Sequence, residues 1–284
     1  MTDDITNITG SRVSMALRGA VTLIECFNEN RGLMDEAMEA ELLQALDRLE
    51  RWPQCRVVVI TGRDAGVFIR HYDVAVLHDR ARTMVERKKT FHLDRPVPKS
   101  SIHRILERIA ESPRLFIAAV NGTAMGGGFE LALGCDLRIV EAGDHEIGLP
   151  EANIGLLPGA GGTRRLVELI GESRAMQVLL AKPLFAPEAL VDLGIASACV
   201  PDARAHAMAM AAALLDIPAR AIANIKLLVR GHARWQPEAS AAAERTLFCD
   251  CMVDPESLHL MRKVGLEGAS IAKRQPGTAT VERT

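Results

Sequence analysis

Two kinds of apolar pattern run along the chain. Continuous runs at Val21-Thr22-Leu23-Ile24, Val57-Val58-Val59-Ile60 and Leu115-Phe116-Ile117-Ala118-Ala119-Val120 predict buried strands. The β-branched run at 57–60 is the mark of a strand covered on both faces. Between the first two runs, Met34, Met38, Leu42, Leu46 and Leu49 recur at helical spacing with charges between them, which predicts an amphipathic helix. Further short strands are expected over Asp136–Val140, Glu146–Leu149 and Ile195–Val200. Helices are expected over Ile102–Ala110, Phe129–Cys135, Thr163–Ile170, Ser173–Leu180 and Pro187–Leu193, with Gly194 as a C-cap. After Pro201 the pattern turns almost wholly helical: Ala205–Leu215, Ala219–Val229, Ala239–Met252 and Glu256–Val264.

Composition narrows the function classes. The 284 residues, 48% hydrophobic, suffice for one substantial core, or a core with a smaller appendage. A net charge of −2 gives no reason to expect a nucleic-acid or membrane-surface binder. Met1-Thr2-Asp3-Asp4-Ile5 has neither a basic start nor an apolar stretch after it, so no signal peptide is expected, and no 18-residue apolar span follows. The six cysteines include one close pair, Cys249 and Cys251, without a second pair to complete a metal framework. A reduced, cytoplasmic thiol inventory and no metal site are expected.

Charge is uneven. From His78 to Arg114 ten Lys or Arg stand against five Asp or Glu, interrupted by Pro96 and Pro98. Such a run reads first as a solvated helix face, and alternatively as an attraction for phosphates.

The candidate chemistry lies just after the strand at 115–120. Asn121-Gly122 is a turn signal, three glycines follow at 126–128, and a helix begins there. Glycines at a helix mouth let backbone approach a ligand closely, and the first N–H groups have no partner within the helix. Those N–H groups suit an oxygen gaining negative charge. Glu130 falls in the first helical turn, and Glu151 follows Leu149-Pro150. Taken singly, Glu130 reads as a favourable charge at a helix start and Glu151 as a loop carboxylate; together beside the glycines they read as a catalytic pair. Neither glycine cluster gives GxGxxG after a strand, and no GxxxxGK[ST] occurs, which excludes nucleotide sites of those types.

These residues carry a resemblance. Asn121-Gly122-Thr123-Ala124-Met125-Gly126-Gly127-Gly128-Phe129-Glu130-Leu131-Ala132, then Cys135-Asp136, Leu149-Pro150-Glu151, Gly155, and Leu157-Pro158-Gly159-Ala160-Gly161-Gly162-Thr163-Arg164-Arg165-Leu166, resemble the enoyl-CoA hydratase/isomerase, or crotonase, superfamily. Ordered matches over about fifty residues are far more specific than any short pattern among them. The resemblance implies an α/β fold: a crotonase-like spiral of repeated strand-strand-helix units over residues 1–202 with the acyl-CoA site. A helical oligomerisation region over 203–275 and a disordered tail at 276–284 complete the expected organisation.

The resemblance also implies an enzyme, an enoyl-CoA hydratase-like lyase adding water to a 2-enoyl-CoA thioester to give a 3-hydroxyacyl-CoA. Glu130 and Glu151 stand at its two carboxylate positions, Glu151 donating a proton to Cα and Glu130 activating water. Its oxyanion hole is formed by the backbone N–H groups of Tyr72 and Gly127. No metal or redox cofactor is implied, coenzyme A being part of the substrate, and the implied partners are the acyl-CoA thioester and further copies of the chain, a homotrimer or dimer of trimers.

One segment departs from the family pattern. Phe68, Asp73 and Val74 fit, whereas Ile69, Arg70 and His71 do not. His71 stands in place of a glycine, awkward if that position needs a positive φ. Phe68, Arg70, His71 and Gly126 are candidate substrate contacts, and Asp73 is expected to cap the next helix. The departure keeps alternatives open: isomerisation, decarboxylation or C–C hydrolysis on the same enolate platform, or a non-catalytic acyl-CoA-binding subunit.

Overall fold

The structure, a computed structural model, describes residues 6–181, 183–232 and 234–271. The tail expected at 276–284 lies outside them. The chain forms two compact units, divided between Ala211 and Ala212.

The first unit opens with an antiparallel meander, β1 (Thr6–Thr9), β2 (Val13–Arg18) and β3 (Val21–Cys26). Helix α1 (Glu36–Glu50) follows, its N-cap Asp35 accepting the Met38 N–H at 2.8 Å. Its buried apolar face is Met38, Leu42, Ala45, Leu46 and Leu49; of the expected stripe, Met34 falls before the helix, in a bridge to Tyr72. From there the chain repeats one unit. β4 (Val57–Gly62) and β5 (Gly66–Ile69) lead into α2 (Val74–Glu86) and α3 (Ser101–Glu111). β6 (Leu115–Val120) and β7 (Gly122–Met125) lead into α4 (Gly127–Gly134). β8 (Leu137–Glu141) and β9 (Ile147–Gly148) lead through a 3₁₀ turn, Glu151–Ile154, into α5 (Gly162–Ile170) and α6 (Glu172–Ala181). β10 (Leu184–Phe185), α7 (Pro187–Asp192) and β11 (Ala198–Val200) close the series.

Each turn gives its first strand to one sheet and its second to another. The larger sheet runs β1-β2-β3-β4-β6-β8-β11, parallel from β3 onward; the smaller runs β10-β9-β7-β5, with β5, β7 and β9 parallel. This is the strand-strand-helix spiral that the sequence led us to expect. Every residue of β4 is buried, as a strand covered on both faces requires.

Asn121-Gly122 differs from the expected turn. Gly122 begins β7, and a Cβ there would lie 1.9 Å from the Gly66 carbonyl carbon. Glycine is needed because two strands pass in near contact, a long-range cause that no local pattern encodes. Asn121 is buried and ties the strand ends together: its Oδ1 accepts the Gly62 N–H at 2.9 Å, and its Nδ2 donates to the Asp64 carbonyl at 3.0 Å.

Helix α8 (Ala203–Leu214) holds the division between units. The second unit consists mainly of α9 (Ala219–Gly231), α10 (Pro237–Met252) and α11 (Pro255–Glu267). Asp250 joins α10 to α9, receiving Asn224 Nδ2 at 2.9 Å and Arg220 Nη1 at 3.2 Å. Among the described residues, no helix is long and apolar enough to cross a membrane.

Candidate active site

Between β5 and α2 the segment Arg70-His71-Tyr72 is pinned on both sides. Arg70 N–H donates to the Gly32 carbonyl at 2.9 Å, and the Arg70 carbonyl accepts Met125 N–H at 2.8 Å. Met34 bridges Tyr72 in parallel fashion, its N–H donating to the His71 carbonyl and its carbonyl accepting Asp73 N–H, both at 2.8 Å. Because the flanking residues satisfy Met34, the N–H and C=O of Tyr72 itself point away from it. The Tyr72 carbonyl meets His71 Nδ1 at 2.7 Å, while its N–H has no acceptor among the described residues. Asp73 caps α2 as expected, accepting Ala75 N–H at 2.9 Å.

The concern over His71 is resolved by its backbone. Among the described residues the only non-glycine positions with positive φ are Arg31 and Lys88, so His71 carries no left-handed strain. Phe68 is a fully buried core side chain, 1% exposed, that seats β5. Arg70 Nε donates to the Arg31 carbonyl at 3.1 Å, which holds that guanidinium at the neighbouring turn.

The glycine triplet meets this segment. Gly126 has φ 50° and ψ −126°, a backbone state that L side chains rarely adopt. A Cβ built on it would stand 3.2 Å from Glu151 Oε1 and 4.0 Å from His71 Cβ. Gly127, the first residue of α4, faces Tyr72: its Cβ position lies 3.8 Å from Tyr72 Cβ and 3.5 Å from Met34 Sδ. Gly128 packs α4 onto β5 so tightly that a Cβ would fall 2.2 Å from the Ile69 carbonyl oxygen. The structure therefore brings His71, Tyr72, Gly126, Gly127 and Glu151 together from three separate parts of the chain.

Glu130 sits on a helix whose residues from Gly128 to Gly134 are all buried. A carboxylate there needs compensating hydrogen bonds. It does not turn to its own helix start. Its Oε1 accepts the N–H groups of Ala160 at 2.7 Å and Gly162 at 2.8 Å, at the N-terminus of α5. Burial pushes the Glu130 carboxyl up, against those two N–H groups and the charges of Arg165 and His103, which pull it down. The loop supplying the donors is braced from both sides. Arg165 Nη1 donates to the Ala160 carbonyl at 2.8 Å, and His103 Nε2 meets the Gly159 carbonyl at 2.9 Å.

Glu151 opens the 3₁₀ turn after Pro150, which ends at Gly155 in the left-handed region at φ 74°. Its Oε2 is buried and has no hydrogen-bond partner among the described residues. Burial raises its pKa from 4.5 to about 7, opposed by its own backbone N–H and assisted by the negative charge of Glu130. Among the described residues, no cluster of three His, Cys, Asp or Glu is placed to hold a metal ion.

The sequence pointed to both carboxylates but not to what holds them. Ala160, Gly162, Arg165 and His103 shape the Glu130 environment. The glycine loop was the one signal for the first two, and nothing marked His103, some thirty residues before Glu130.

Residues 21–261 match the family described as Enoyl-CoA hydratase/isomerase. The chain is 28% identical over 272 residues to the "Probable enoyl-CoA hydratase" of Bacillus subtilis (strain 168), covering 93% of this chain and 97% of that one. It is 31% identical over 183 residues to the fatty acid oxidation complex subunit alpha of Aliivibrio fischeri (strain ATCC 700601 / ES114), covering 63% of this chain and 25% of that longer protein. In fold it is similar to an enoyl-CoA hydratase structure from Geobacillus kaustophilus HTA426, with TM-score 0.82 and 24% identity over 93% of this chain and 97% of the other.

Proposed function

Since this chain belongs to the enoyl-CoA hydratase/isomerase family, we propose that it adds water to a 2-enoyl-CoA thioester, giving a 3-hydroxyacyl-CoA. The observation that carries this reading is the meeting of Glu151, its carboxyl pushed up to about 7, with Glu130 beside the first residues of α4.

The thioester carbonyl oxygen is held by the N–H groups of Tyr72 and Gly127. The two residues stand against each other, the Cβ position of Gly127 lying 3.8 Å from Tyr72 Cβ, and the start of α4 adds its dipole. As water adds to Cβ this oxygen takes on enolate charge, and losing one such donor costs roughly 10²–10³ in rate. Glu130, with Oε1 fixed by two backbone N–H groups, presents its second oxygen to the water and takes its proton. The water oxygen bonds to Cβ, and protonated Glu151 delivers a proton to Cα. Proton transfer from Glu130 to Glu151 through the next water resets the pair. A carboxyl near pKa 7 suits a group that must both hold and give a proton near neutrality. The reading needs no metal or redox group, and the chemistry is complete with thioester and water.

The test follows the conjugated thioester absorbance of crotonyl-CoA in the purified protein, with Glu130→Gln and Glu151→Gln alongside. Turnover that collapses in both variants is expected. Tight binding of the thioester without loss of absorbance would overturn the hydratase reading and favour isomerisation, decarboxylation or C–C hydrolysis on the same platform.

A further inference from the structure

His103, the third residue of α3, makes contacts that fix which of its ring nitrogens carries the proton. The Ser100 N–H donates to Nδ1 at 3.2 Å, and Ser100 Oγ lies 2.8 Å from the same nitrogen. A backbone N–H can only donate, so Nδ1 offers its lone pair and the neutral ring keeps its proton on Nε2. Nε2–H then donates to the Gly159 carbonyl at 2.9 Å.

The Gly159 carbonyl and the Ala160 N–H belong to one planar peptide group and point to opposite sides of it. On the far side, the Ala160 N–H donates to Glu130 Oε1 at 2.7 Å. An unbroken line of donors therefore runs from His103 Nε2–H through the Gly159–Ala160 peptide to the Glu130 carboxylate. A donor on a peptide oxygen polarises the group and makes its N–H a stronger donor, as in any chain of hydrogen bonds. Glu130 has need of this. Burial favours its protonated form, whereas a base must be ionised to take a proton.

The loop is also secured without His103. Arg165 Nη1 donates to the Ala160 carbonyl at 2.8 Å, and the Gly162 N–H gives Oε1 its second donor at 2.8 Å. The histidine bond acts on the one peptide that faces both the ring and the carboxylate. We infer that His103 is a positioning residue for the reaction, acting through the Gly159–Ala160 peptide to hold the Glu130 carboxylate ready as the base. This rests on the reading of Glu130 as the group that takes the proton from water. The rival account is a tie between α3 and the loop that serves shape alone.

Two variants divide the ring between them. In His103→Gln the amide nitrogen reaches the place of Nε2 and can donate to Gly159. In His103→Asn the amide oxygen takes the place of Nδ1, keeps the Ser100 N–H satisfied, and leaves Gly159 without its donor. In steady-state hydration of crotonyl-CoA, His103→Asn is expected to lower kcat about tenfold with KM within about twofold, and His103→Gln to stay within about threefold of the parent. An unchanged kcat in His103→Asn would overturn the inference. So would equal losses in both variants, or a loss that appears in KM and melting temperature instead of kcat, either of which would leave the tie alone. The amide proton of Ala160, followed by NMR in alanine-labelled protein, reads the same bond without turnover. It is expected to move upfield in His103→Asn and to hold its place in His103→Gln. A resonance unmoved in His103→Asn overturns the inference whatever the rates do. Should the parent fail to hydrate crotonyl-CoA, the hydratase reading falls, while an Ala160 shift confined to His103→Asn still supports the hold on Glu130.

Discussion

Glu130 Oε1 accepts the backbone N–H of Gly162 at 2.8 Å, although 32 residues separate them in the chain. The same oxygen takes the Ala160 N–H at 2.7 Å, so one carboxylate oxygen completes the start of α5, and under the proposed mechanism the other takes the proton from water. Glu130→Gln keeps a carbonyl oxygen for both N–H groups and loses only the base. We expect its melting temperature within a few degrees of the parent and its crotonyl-CoA turnover down by about 10²–10⁴. Glu130→Ala should add a stability loss of about 1–3 kcal/mol for each N–H left buried and unpaired. Denaturant melts beside steady-state rates distinguish the two effects.

Glu151 should make stability fall with pH. Its carboxyl is raised from 4.5 to about 7 mainly by burial. Between those values the native state binds more protons than the unfolded chain, so stability declines as pH rises through that window and levels off above about 7. Glu151→Gln removes the decline. After discounting for partial exposure, we expect the variant to gain on the order of 2 kcal/mol over the parent at pH 8 and nothing at pH 4, while losing turnover. Urea melts at the two pH values check the sign. A parent stability that rises from pH 5 to 7 relative to the variant would contradict it.

Adjacent glycines should respond in opposite ways. At Gly127 a Cβ meets its nearest neighbour, Met34 Sδ, at 3.5 Å, an ordinary contact. Gly127→Ala is therefore expected to leave stability unchanged or raise it by up to about 1 kcal/mol, as alanine does in a helix. At Gly128 a Cβ would fall 2.2 Å from a backbone oxygen, that of Ile69, which cannot swing aside as a side chain would. Gly128→Ala should cost about 3 kcal/mol or prevent folding. Circular dichroism melts of the two variants give the contrast.

Tyr72 contributes to catalysis through its backbone under the proposed mechanism. Tyr72→Phe removes the hydroxyl that Arg80 reaches at 3.1 Å and leaves the N–H in place. A neutral hydroxyl contributes about 1 kcal/mol, so turnover should change by less than about tenfold. A loss as large as that in Glu130→Gln would show that the side chain itself takes part.

Asn121 joins the ends of β4 and β6 to the loop before β5. Its Nδ2 donates to the carbonyls of Asp64 at 3.0 Å and Gly62 at 3.2 Å. Asn121→Asp replaces both donors with a buried charge facing carbonyl oxygens, and should cost about 2–4 kcal/mol at neutral pH and less below pH 4, where the carboxyl can donate again. A pH-independent loss would argue against this account.

What the sequence determined by itself was whatever depends on neighbours along the chain. The buried run of β4, the stripe of α1 from Met38 to Leu49, the Asp73 cap and the fourfold series of C-terminal helices follow from period, propensity and capping. The ordered pattern from Asn121 to Leu166 was specific enough to mark Glu130 and Glu151 and the family. What the tertiary structure decided was whatever depends on approach between distant segments. Gly122 is a strand residue because β5 passes against it, and His71 tolerates its place because the bridge to Met34 gives it an ordinary φ. Glu130 is held by Ala160 and Gly162, and Glu151 is driven to about 7, because folding removes water from both and brings their charges near. Burial and field are properties of the assembled neighbourhood, and the residue type alone does not carry them.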